Sequence, residues 1–483
     1  MAAATFDMYI DGQWVGADSD RRFAVTNPAT LEEVGTVPDA GRAETRRAIE
    51  AAARAFPAWS GLTAGERARF LGKFAARVQA NVDALAELLT REQGKPLAEA
   101  RGEVLGTVDI IQWYAEEAKR LYGETVPASV PHKRILVLRQ PVGVVGVITP
   151  WNYPISIIAR KIATALAAGC TVVAKPAEQT PLCGVALVRL IAEAGLPAGV
   201  VNLVTGNPVE IGLELLSNPL VRKITFTGST EVGKLLMRGA ADRVKKVSLE
   251  LGGHAPFIIF RDADLKQAVA DFLYNKFRNN GQMCSCANRL YVEEDVYDQV
   301  VQQVAEGARR LRVGNGLEPG VQVGPLIDEA GLAKVEAQVR DARQRGARVL
   351  TGGQRLADLG PGSFYAPTVL TDVSADMAVC QEETFGPVIP VIPFRSEQEA
   401  VSLANASPYG LTAYFYTSNL SRAWRVAEQL ECGVVGVNDS MPTVPQAPFG
   451  GFKESGIGRE GGHHGLADFL EIKYVSIGLE QEN

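Results

Sequence analysis

The order of secondary-structure patterns along this sequence predicts an α/β protein with two doubly wound parallel-sheet domains and a small additional β element. Strand-like and helix-like segments alternate after residue 142, and a second alternation begins after residue 253. The C-terminal "LEIKYVSIG" indicates a strand that has no hairpin partner beside it in the sequence. Such alternation is typical of parallel sheets joined by right-handed helical crossovers.

The first third of the chain is predicted to be mainly helical. The segments "AETRRAIEAAARAFPAW" and "ERARFLGKFAARVQANVDALAELLTREQG" place apolar residues at helical intervals, and Gly94 is expected to end the second. The following "ILVLRQPVGVVGVITPW" changes to the period of a strand.

Each later element follows from its local pattern. The predicted helices are "PISIIARKIATALAAG", "PLCGVALVRLIAEAGLP", "STEVGKLLMRGAA", "LKQAVADFLYNKFRNN" and "YDQVVQQVAEGARRL". The predicted strands between them are "CTVVAKP", "VVNLVTG", "KITFTG", "APFIIF" and "RLYVEE".

Composition excludes several classes of protein. A chain of 483 residues predicts two or three domains, and 46% hydrophobic with 22% charged residues is typical of a globular protein. A net charge of -6 with scattered basic pairs argues against nucleic-acid binding.

The N-terminus lacks a signal-peptide pattern, and the longest apolar stretch, 162–174, is shorter than a membrane span of roughly 20 residues. Six cysteines form no disulfide framework and four histidines show no metal spacing, so we expect a cytoplasmic protein without a metal.

The stretch "KITFTGSTEVGKLL" contains a near match to a P-loop. Gly228 to Lys234 fit G-x-x-x-x-G-K, but Leu235 stands where a hydroxyl should hold Mg²⁺. The stretch could be a damaged ATP site, an accidental match, or a helix N-terminus that binds a pyrophosphate after the turn at Gly228. A second glycine pattern, "GIGREG" at 456–461, follows no strand and precedes no helix, so it is interpreted as a glycine-rich loop.

One cysteine stands out by its position. Cys284 lies in the polar, glycine-containing "KFRNNGQMCSCANRLYV", between a predicted helix and a predicted strand, where a thiol would be reachable. A lone cysteine more often serves packing. No Cys/His hydrolase spacing accompanies Cys284, and His254 is the one candidate base of that kind.

Several blocks in a fixed order give the chain a specific resemblance. It resembles the aldehyde dehydrogenase superfamily from end to end, through "PWNYP", "KPAEQTP", "FTGSTEVG", "LELGG", "GQMC", "EETFGPV" and "PFGGFKESGIGREGG". The resemblance implies a discontinuous Rossmann-like NAD-binding domain at 1–123 and 142–252, a catalytic domain at 253–446, and oligomerisation segments at 124–141 and 467–483.

The resemblance also implies roles for individual residues. Cys284 matches the nucleophile, Glu250 the general base, and Asn152 the side-chain donor of the oxyanion hole. The implied cofactor-binding residues are Thr149, Pro150, Trp151, Lys175, Pro176, Ala177, Glu178, Gly228, Ser229, Gly233, Glu383 and Phe385. The expected cofactor is NAD, with NADP less favoured, because the Glu178 carboxylate would accept from a ribose diol and repel a 2′-phosphate.

Within the superfamily the chain resembles the succinate-semialdehyde dehydrogenase branch. Arg160 and Arg278 match the arginines that bind the substrate carboxylate, and Thr443 could supply a hydroxyl. Asn152 and Arg160 are eight residues apart, which would place both on one side of a helix. The loop "NDSMPTVPQAPFGG" departs from the branch pattern, so glutarate semialdehyde, 2-oxoglutarate semialdehyde and short hydroxyaldehydes stay open as alternatives.

Further expectations concern regulation, assembly and other protein classes. Cys286, two residues after Cys284, could form a disulfide with it in oxidant. The strand-like "KRILVLRQ" and the terminal "LEIKYVSIG" match the family's oligomerisation segments, and pairing across subunits in a homodimer or homotetramer would satisfy their backbones. A P-loop phosphotransferase and a non-catalytic structural relative are the alternatives of other classes.

Overall fold

The computed structural model describes residues 4–480. The first three residues of the predicted segment 1–123 and the last three of 467–483 lie outside this range. The α-helices are α1 Arg42–Ser60, α2 Ala64–Ala80, α3 Val82–Gln93, α4 Leu97–Glu117, α5 Ser156–Ala168, α6 Pro181–Glu193, α7 Pro208–Ser217, α8 Thr230–Ala241, α9 Leu265–Phe277, α10 Tyr297–Arg310, α11 Glu329–Gln344, α12 Ala378–Gln381, α13 Glu397–Asn405, α14 Leu420–Gln429 and α15 His464–Ala467.

The strands are short, and most of them lie in two large sheets. They are β1 Ala4–Thr5, β2 Met8–Ile10, β3 Gln13–Val15, β4 Arg22–Thr26, β5 Glu33–Pro38, β6 Glu124–Val126, β7 Lys133–Pro141, β8 Val144–Ile148, β9 Thr171–Lys175, β10 Val201–Leu203, β11 Val221–Thr227, β12 Lys246–Glu250, β13 Ala255–Ile259, β14 Ala287–Glu293, β15 Arg348–Thr351, β16 Thr368–Thr371, β17 Val388–Phe394, β18 Tyr409–Gly410, β19 Thr412–Tyr416, β20 Val434–Val437, β21 Phe452–Lys453, β22 Gly456–Ile457 and β23 Leu470–Gly478.

The first large sheet has the strand order β22-β12-β11-β8-β9-β10-β2-β3. Its five central strands are parallel, as the alternating pattern predicts. The edges β2, β3 and β22 are antiparallel, which makes the sheet mixed. The central strand β9 is buried along its whole length, as expected for a strand covered on both faces.

The second large sheet has the order β15-β16-β17-β14-β13-β19-β20. It is parallel except for the edge strand β15. The strands predicted at "APFIIF" and "RLYVEE" are confirmed as β13 and β14, and these two are neighbours in the sheet. A doubly wound α/β architecture is therefore confirmed for both halves, with antiparallel strands added at the edges.

The helical first third is confirmed with one change. The second predicted helix is two helices, α2 and α3, which are separated at Asn81. Thr63 and Glu66 form a capping box at the start of α2, and Gly94 ends α3 with a φ of 95°. Within residues 4–480, every helix is too short or too polar to span a bilayer.

The small β element differs from its prediction. Strands β7 and β23 pair with each other along nine residues, from Lys133 with Gly478 to Pro141 with Leu470, and β6 flanks β7. As predicted, β23 has no hairpin partner beside it in the sequence, and it pairs with β7 of the same chain; β7, by contrast, does have a nearby partner in β6. The sequence could not reveal the pairing of β7 with β23 because more than 300 residues separate the two strands. A role for the element in oligomerisation stays a prediction.

Candidate active site

Two cavities meet at Cys284. The first has a volume of about 370 Å³ and the second about 390 Å³. Thr227, Glu250 and Cys284 contribute to the walls of both. The predicted nucleophile and the predicted base are thus brought together where the two cavities join.

The thiol of Cys284 lies between α9 and β14, on the connection that the sequence predicts to be a loop. Burial raises the pKa of this thiol well above its usual value, and the neighbouring Glu250 carboxyl raises it further. Both effects favour the neutral thiol over the thiolate. A reaction at Cys284 needs a group that takes the thiol proton.

Glu250 is the carboxyl group positioned for that transfer. It ends β12, it is 5% exposed, and its Oε1 has no hydrogen-bond partner within the protein. Burial raises the pKa of Glu250 to about 8, and the carboxylate of Glu460 adds to the rise. A carboxyl with a pKa near neutrality can exchange protons during catalysis.

Asn152 lies in a bend before α5, outside the helix. Its Nδ2 donates to the carbonyl of Gln282 at 3.0 Å, which leaves the second amide hydrogen available. The predicted helical relation between Asn152 and Arg160 is wrong, because α5 begins only at Ser156. Both Asn152 and Cys284 nevertheless line the first cavity.

Three predicted cofactor segments lie at the same edge of the first sheet. Segment 149–151 follows β8, segment 176–178 follows β9, and Gly228 with Ser229 follows β11. Because these strands are parallel neighbours, their carboxyl ends meet at one edge, where α/β proteins bind ligands. The N–H of Thr149 donates to the carbonyl of Lys175 at 3.1 Å and joins the first two segments.

The opening of α8 has the geometry of an anion site and lacks that of a P-loop. Ser229 caps the helix by accepting from the N–H of Val232, and Gly233 allows close packing, since a Cβ there would lie 2.4 Å from Leu251. Lys234 forms an ion pair with Glu454 at 2.8 Å, and the side chain of Leu235 is exposed. The P-loop lysine and hydroxyl therefore have no counterparts here.

Glu383 and Phe385 line the first cavity, as Pro150 and Trp151 do. The Glu383 Oε1 accepts from the N–H of Gly253 at 2.9 Å, and burial raises the pKa of Glu383 to about 7. Phe385 has a φ of 54° and packs edge-on against Trp151, with ring centroids 5.3 Å apart. A non-glycine residue in the left-handed region often marks a functional position.

Lys175 and Glu178 form an ion pair with each other. The Lys175 Nζ also donates to the carbonyl of Pro176 at 3.1 Å, and Ala177 beside it is buried. Glu178 is more exposed than Lys175, so its carboxylate is the group of this pair that faces solvent.

Arg160, Arg278 and Thr443 all line the second cavity, but the two arginines differ. Arg160 forms an ion pair with Glu460 at 3.5 Å. Within residues 4–480, Arg278 has no ion pair; its Nη1 lies 3.4 Å from the sulfur of Met441 and its guanidinium 6.0 Å from the ring centre of Tyr153. Thr443 is exposed at the rim of the cavity.

Sequence reasoning missed two charged residues of the site. Glu460 contacts Arg160 and forms an ion pair with Lys161, whose Nζ also donates to Thr225 at 3.0 Å. Interpreting 456–461 as a glycine-rich loop is therefore incomplete, because this segment forms strand β22 and contributes Glu460 to the second cavity. The signal was Lys161, which follows Arg160 within a mainly apolar helix, since a buried lysine requires an anionic partner.

Cys286 is fully buried, and its sulfur lies 3.7 Å from the carbonyl of Lys276. Both Cys284 and Cys286 are free cysteines in the structure.

His254 contacts the carbonyl of Cys380 and lines neither catalytic cavity. In the described part of the chain, no group of three or more His, Cys, Asp or Glu side chains is arranged to hold a metal ion.

Sequence comparison shows which proteins are similar to this chain. A profile described as "Aldehyde dehydrogenase family" matches residues 14–475. The chain is 52% identical to the glutarate-semialdehyde dehydrogenase of Pseudomonas putida KT2440, covering 98% of this chain and 97% of that protein. It is 54% identical to the 3-sulfolactaldehyde dehydrogenase of Pseudomonas putida, covering 97% and 96%. It is 52% identical to the succinate-semialdehyde dehydrogenase GabD of Escherichia coli K12, whose name specifies NADP(+), covering 97% of each.

Solved structures share the whole fold. The succinate-semialdehyde dehydrogenase of Burkholderia pseudomallei superposes with a TM-score of 0.97 at 52% identity, covering 98% of each chain. The betaine aldehyde dehydrogenase of Staphylococcus aureus in complex with NAD+ gives a TM-score of 0.96 at 37% identity, covering 99% of this chain and 96% of that one. The chain therefore belongs to the aldehyde dehydrogenase family and is an oxidoreductase that acts on aldehydes.

Proposed function

We propose that this protein oxidises a short aldehyde with an anionic group at its far end, with succinate semialdehyde as the preferred substrate and NAD as the preferred cofactor. The observation that carries the proposal is the unpaired guanidinium of Arg278 in the cavity that ends at Cys284. The three relatives above are named for succinate semialdehyde, glutarate semialdehyde and 3-sulfolactaldehyde. Each of these aldehydes carries a carboxylate or a sulfonate.

The first cavity fits a nicotinamide dinucleotide. The N-terminus of α8 offers backbone N–H groups to a pyrophosphate, and Glu383 offers a carboxylate to a ribose. Thr227 and Thr384 also line this cavity, and their hydroxyl groups are buried without a partner in the protein. When bound, the cofactor supplies the acceptor for a hydride.

Cys284 attacks the aldehyde carbon and becomes bonded to it, while Glu250 accepts the thiol proton. The side-chain amide of Asn152 and the N–H of Cys284 stabilise the oxyanion that develops on the former carbonyl oxygen. Loss of hydride leaves a thioester on Cys284. Glu250 releases the thiol proton to solvent and then takes a proton from a water molecule that attacks this thioester; the C–S bond breaks, the carboxylic acid leaves, and Glu250 returns its proton to the sulfur.

The two arginines are proposed to contribute unequally to substrate binding. Glu460 partly neutralises Arg160, whereas Arg278 has no ion pair within residues 4–480 and its Nη1 contacts the sulfur of Met441, a weak acceptor. Arg278 therefore anchors the substrate anion, and Arg160 with Thr443, which line the same cavity, supplements it. A charge-assisted hydrogen bond of this kind is worth about 1.5–3 kcal/mol.

The second candidate substrate is glutarate semialdehyde, which is one methylene longer. The first relative described above is named for it, and the rim segment 440–445 departs from the branch pattern. The experiment is a panel of succinate, glutarate and 2-oxoglutarate semialdehydes, a short hydroxyaldehyde and butanal, each with NAD⁺ and NADP⁺, followed by absorbance of the reduced cofactor. A higher kcat/KM for butanal than for every anionic aldehyde would overturn the proposal.

NAD is the proposed cofactor because Glu178 follows β9 and its carboxylate faces solvent. Such a carboxylate accepts hydrogen bonds from a ribose diol and repels a 2′-phosphate. The ion pair with Lys175 weakens this repulsion, so the preference is expected to be moderate.

A homodimer or homotetramer is the proposed assembly, and the cytoplasm the proposed location. The sheet β6-β7-β23 leaves Ile472 and Tyr474 exposed on one face of the long strand β23. Exposed apolar residues grouped in this way favour burial against another subunit. A monomeric mass by light scattering at micromolar concentration would contradict the assembly, and cell fractionation tests the location.

A disulfide between Cys284 and Cys286 is proposed as an oxidative block. Peroxide would oxidise the two thiols to a disulfide and be reduced to water, and an added thiol would restore Cys284. Cys286 is buried, so its loop must move for the bond to form. If the Cys286→Ser variant recovers from peroxide as fully as wild type after thiol treatment, this disulfide does not form.

A further inference from the structure

Asn152 is held in place by groups that contact its backbone. Its carbonyl oxygen accepts from the Nζ of Lys95 at 2.8 Å and from the Nδ2 of Asn279 at 2.9 Å. The Lys95 Nζ also lies 3.9 Å from the ring centre of Tyr153, the next residue. Lys95 is 2% exposed, so a buried cation contacts the Asn152 carbonyl and the side chain of the next residue.

Glu103 contacts both Lys95 and the residues that follow Asn152. Its Oε2 accepts from Lys95 at 2.6 Å, and both side chains of this ion pair are 1% exposed. Its Oε1 accepts from the backbone N–H groups of Ile155 and Ser156, at 3.0 and 3.1 Å. One carboxylate therefore binds the start of α5 and the lysine that holds Asn152.

Asn279 connects Asn152 to the loop that carries the nucleophile. Its Nδ2 donates to the carbonyls of Asn152 and Gln282, and the Asn152 side chain donates to the same Gln282 carbonyl. Gln282 stands two residues before Cys284. Asn279 has a φ of 49°, in the left-handed region, and its Oδ1 accepts from Gln93 at 2.9 Å.

We propose that Lys95, Glu103 and Asn279 are positioning residues that fix the distance between the two oxyanion donors, the Asn152 side chain and the Cys284 N–H. The three residues contact the chain segments that carry these two donors. None of the three contacts a reacting atom. A charged pair removed from water in this way costs free energy unless its bonds are satisfied, and here both partners are bonded to the site's backbone. The proposal deepens the function proposed above and rests on it.

The first test is a double-mutant cycle between Lys95→Met and Asn152→Ala. In the wild-type background, Lys95→Met is expected to lower kcat roughly 10- to 100-fold, since a misplaced catalytic group costs about that much. In the Asn152→Ala background, the same substitution is expected to lower kcat by less than about threefold, because the donor that Lys95 positions is already gone. Equal losses in both backgrounds would overturn the proposal.

The second test uses a matched pair of carboxylates and does not need Lys95→Met to fold. Glu92 is fully buried and accepts from the N–H groups of Leu182 and Cys183 at the start of α6, as Glu103 does at the start of α5. Glu103→Gln is expected to lower kcat about tenfold or more, with the KM for NAD⁺ unchanged. Glu92→Gln is expected to lower Tm without lowering kcat at 25 °C. Similar kcat values for the two variants would contradict the proposal.

Acylation of Cys284 by 4-nitrophenyl acetate separates this inference from the substrate assignment. The reaction develops an oxyanion at the same place and requires neither the cofactor nor Arg278. A loss of acylation rate in Glu103→Gln but not in Glu92→Gln supports positioning, even if succinate semialdehyde proves to be the wrong aldehyde. Equal acylation rates in these two variants would argue against it.

Discussion

The two cavities that meet at Cys284 are built in different ways. The first is formed largely at the carboxyl ends of neighbouring parallel strands, where the backbone itself creates a binding edge. The second is lined by side chains from separate segments, including Glu103 of α4, Arg160 of α5, Arg278 after α9, Thr443 and Glu460. With the cofactor proposed in the first cavity and the aldehyde in the second, the comparison teaches that cofactor binding would follow from the fold and the choice of aldehyde from a few side chains.

The largest effects are expected from the residues that surround the reacting carbonyl, where the two cavities meet. Cys284→Ala should abolish turnover with every aldehyde, because no bond to the carbonyl carbon can form. Asn152→Ala should lower kcat roughly 10²–10³-fold, the usual loss for one oxyanion donor. Steady-state kinetics with an anionic and a neutral aldehyde check this. An Asn152→Ala enzyme of near-normal kcat would remove Asn152 from the oxyanion hole.

A smaller effect is expected from Glu460, which lines the second cavity and raises the pKa of the proposed base, Glu250. Glu250 must lose its proton to act, so the rate should rise with pH through its pKa of about 8. Glu460→Gln removes a negative charge that raises this pKa and frees the cations of Lys161 and Arg160, which lower it. The rising limb of kcat should therefore move to lower pH.

The control for this shift is Glu454→Gln, which removes an exposed carboxylate from the same part of the chain. Its pH profile should match that of wild type. A Glu460→Gln profile that is unchanged, or that moves to higher pH, would show that Glu460 does not set the protonation of Glu250.

The smallest effect is expected at the binding edge of the first sheet, where single side chains adjust a site made by the backbone. Glu178→Gln should narrow the preference for NAD⁺ over NADP⁺ by roughly fivefold, since two charges 4 Å apart in water interact by about 1 kcal/mol. The measurement is kcat/KM for both cofactors, with the exposed Glu193→Gln as control. A wild-type enzyme that prefers NADP⁺ would contradict the role proposed for Glu178.

The features that could be predicted from the sequence are those that depend on residues close together in the chain. The strand and helix order, the α8 N-terminus and the position of Cys284 between α9 and β14 each follow from a few neighbouring residues. Antiparallel edge strands and the pairing of β7 with β23 were not predictable, because their partners are far apart in the chain.

The sequence also did not reveal the ion pairs between residues that are far apart in the chain. Glu460 lies about 300 residues from Arg160 and Lys161, so nothing local shows that Arg160 is already paired. Lys95 contacts Asn152 across 57 residues, and nothing in the sequence around Lys95 marks it as a partner of Asn152. Buried charges require partners, but a single sequence does not say which residues those partners are.

The measurement that tests the account most directly is the ratio of kcat/KM for succinate semialdehyde to that for butanal, in wild type and in Arg278→Ala. Butanal keeps four carbons and lacks the carboxylate. We expect wild type to favour the semialdehyde and Arg278→Ala to reduce the ratio roughly 10- to 100-fold. Arg160→Ala should reduce it less, and Arg310→Ala on the exposed face of α10 should leave it unchanged. A wild-type ratio near one, or a ratio that Arg278→Ala leaves intact, would contradict the proposed anion anchor.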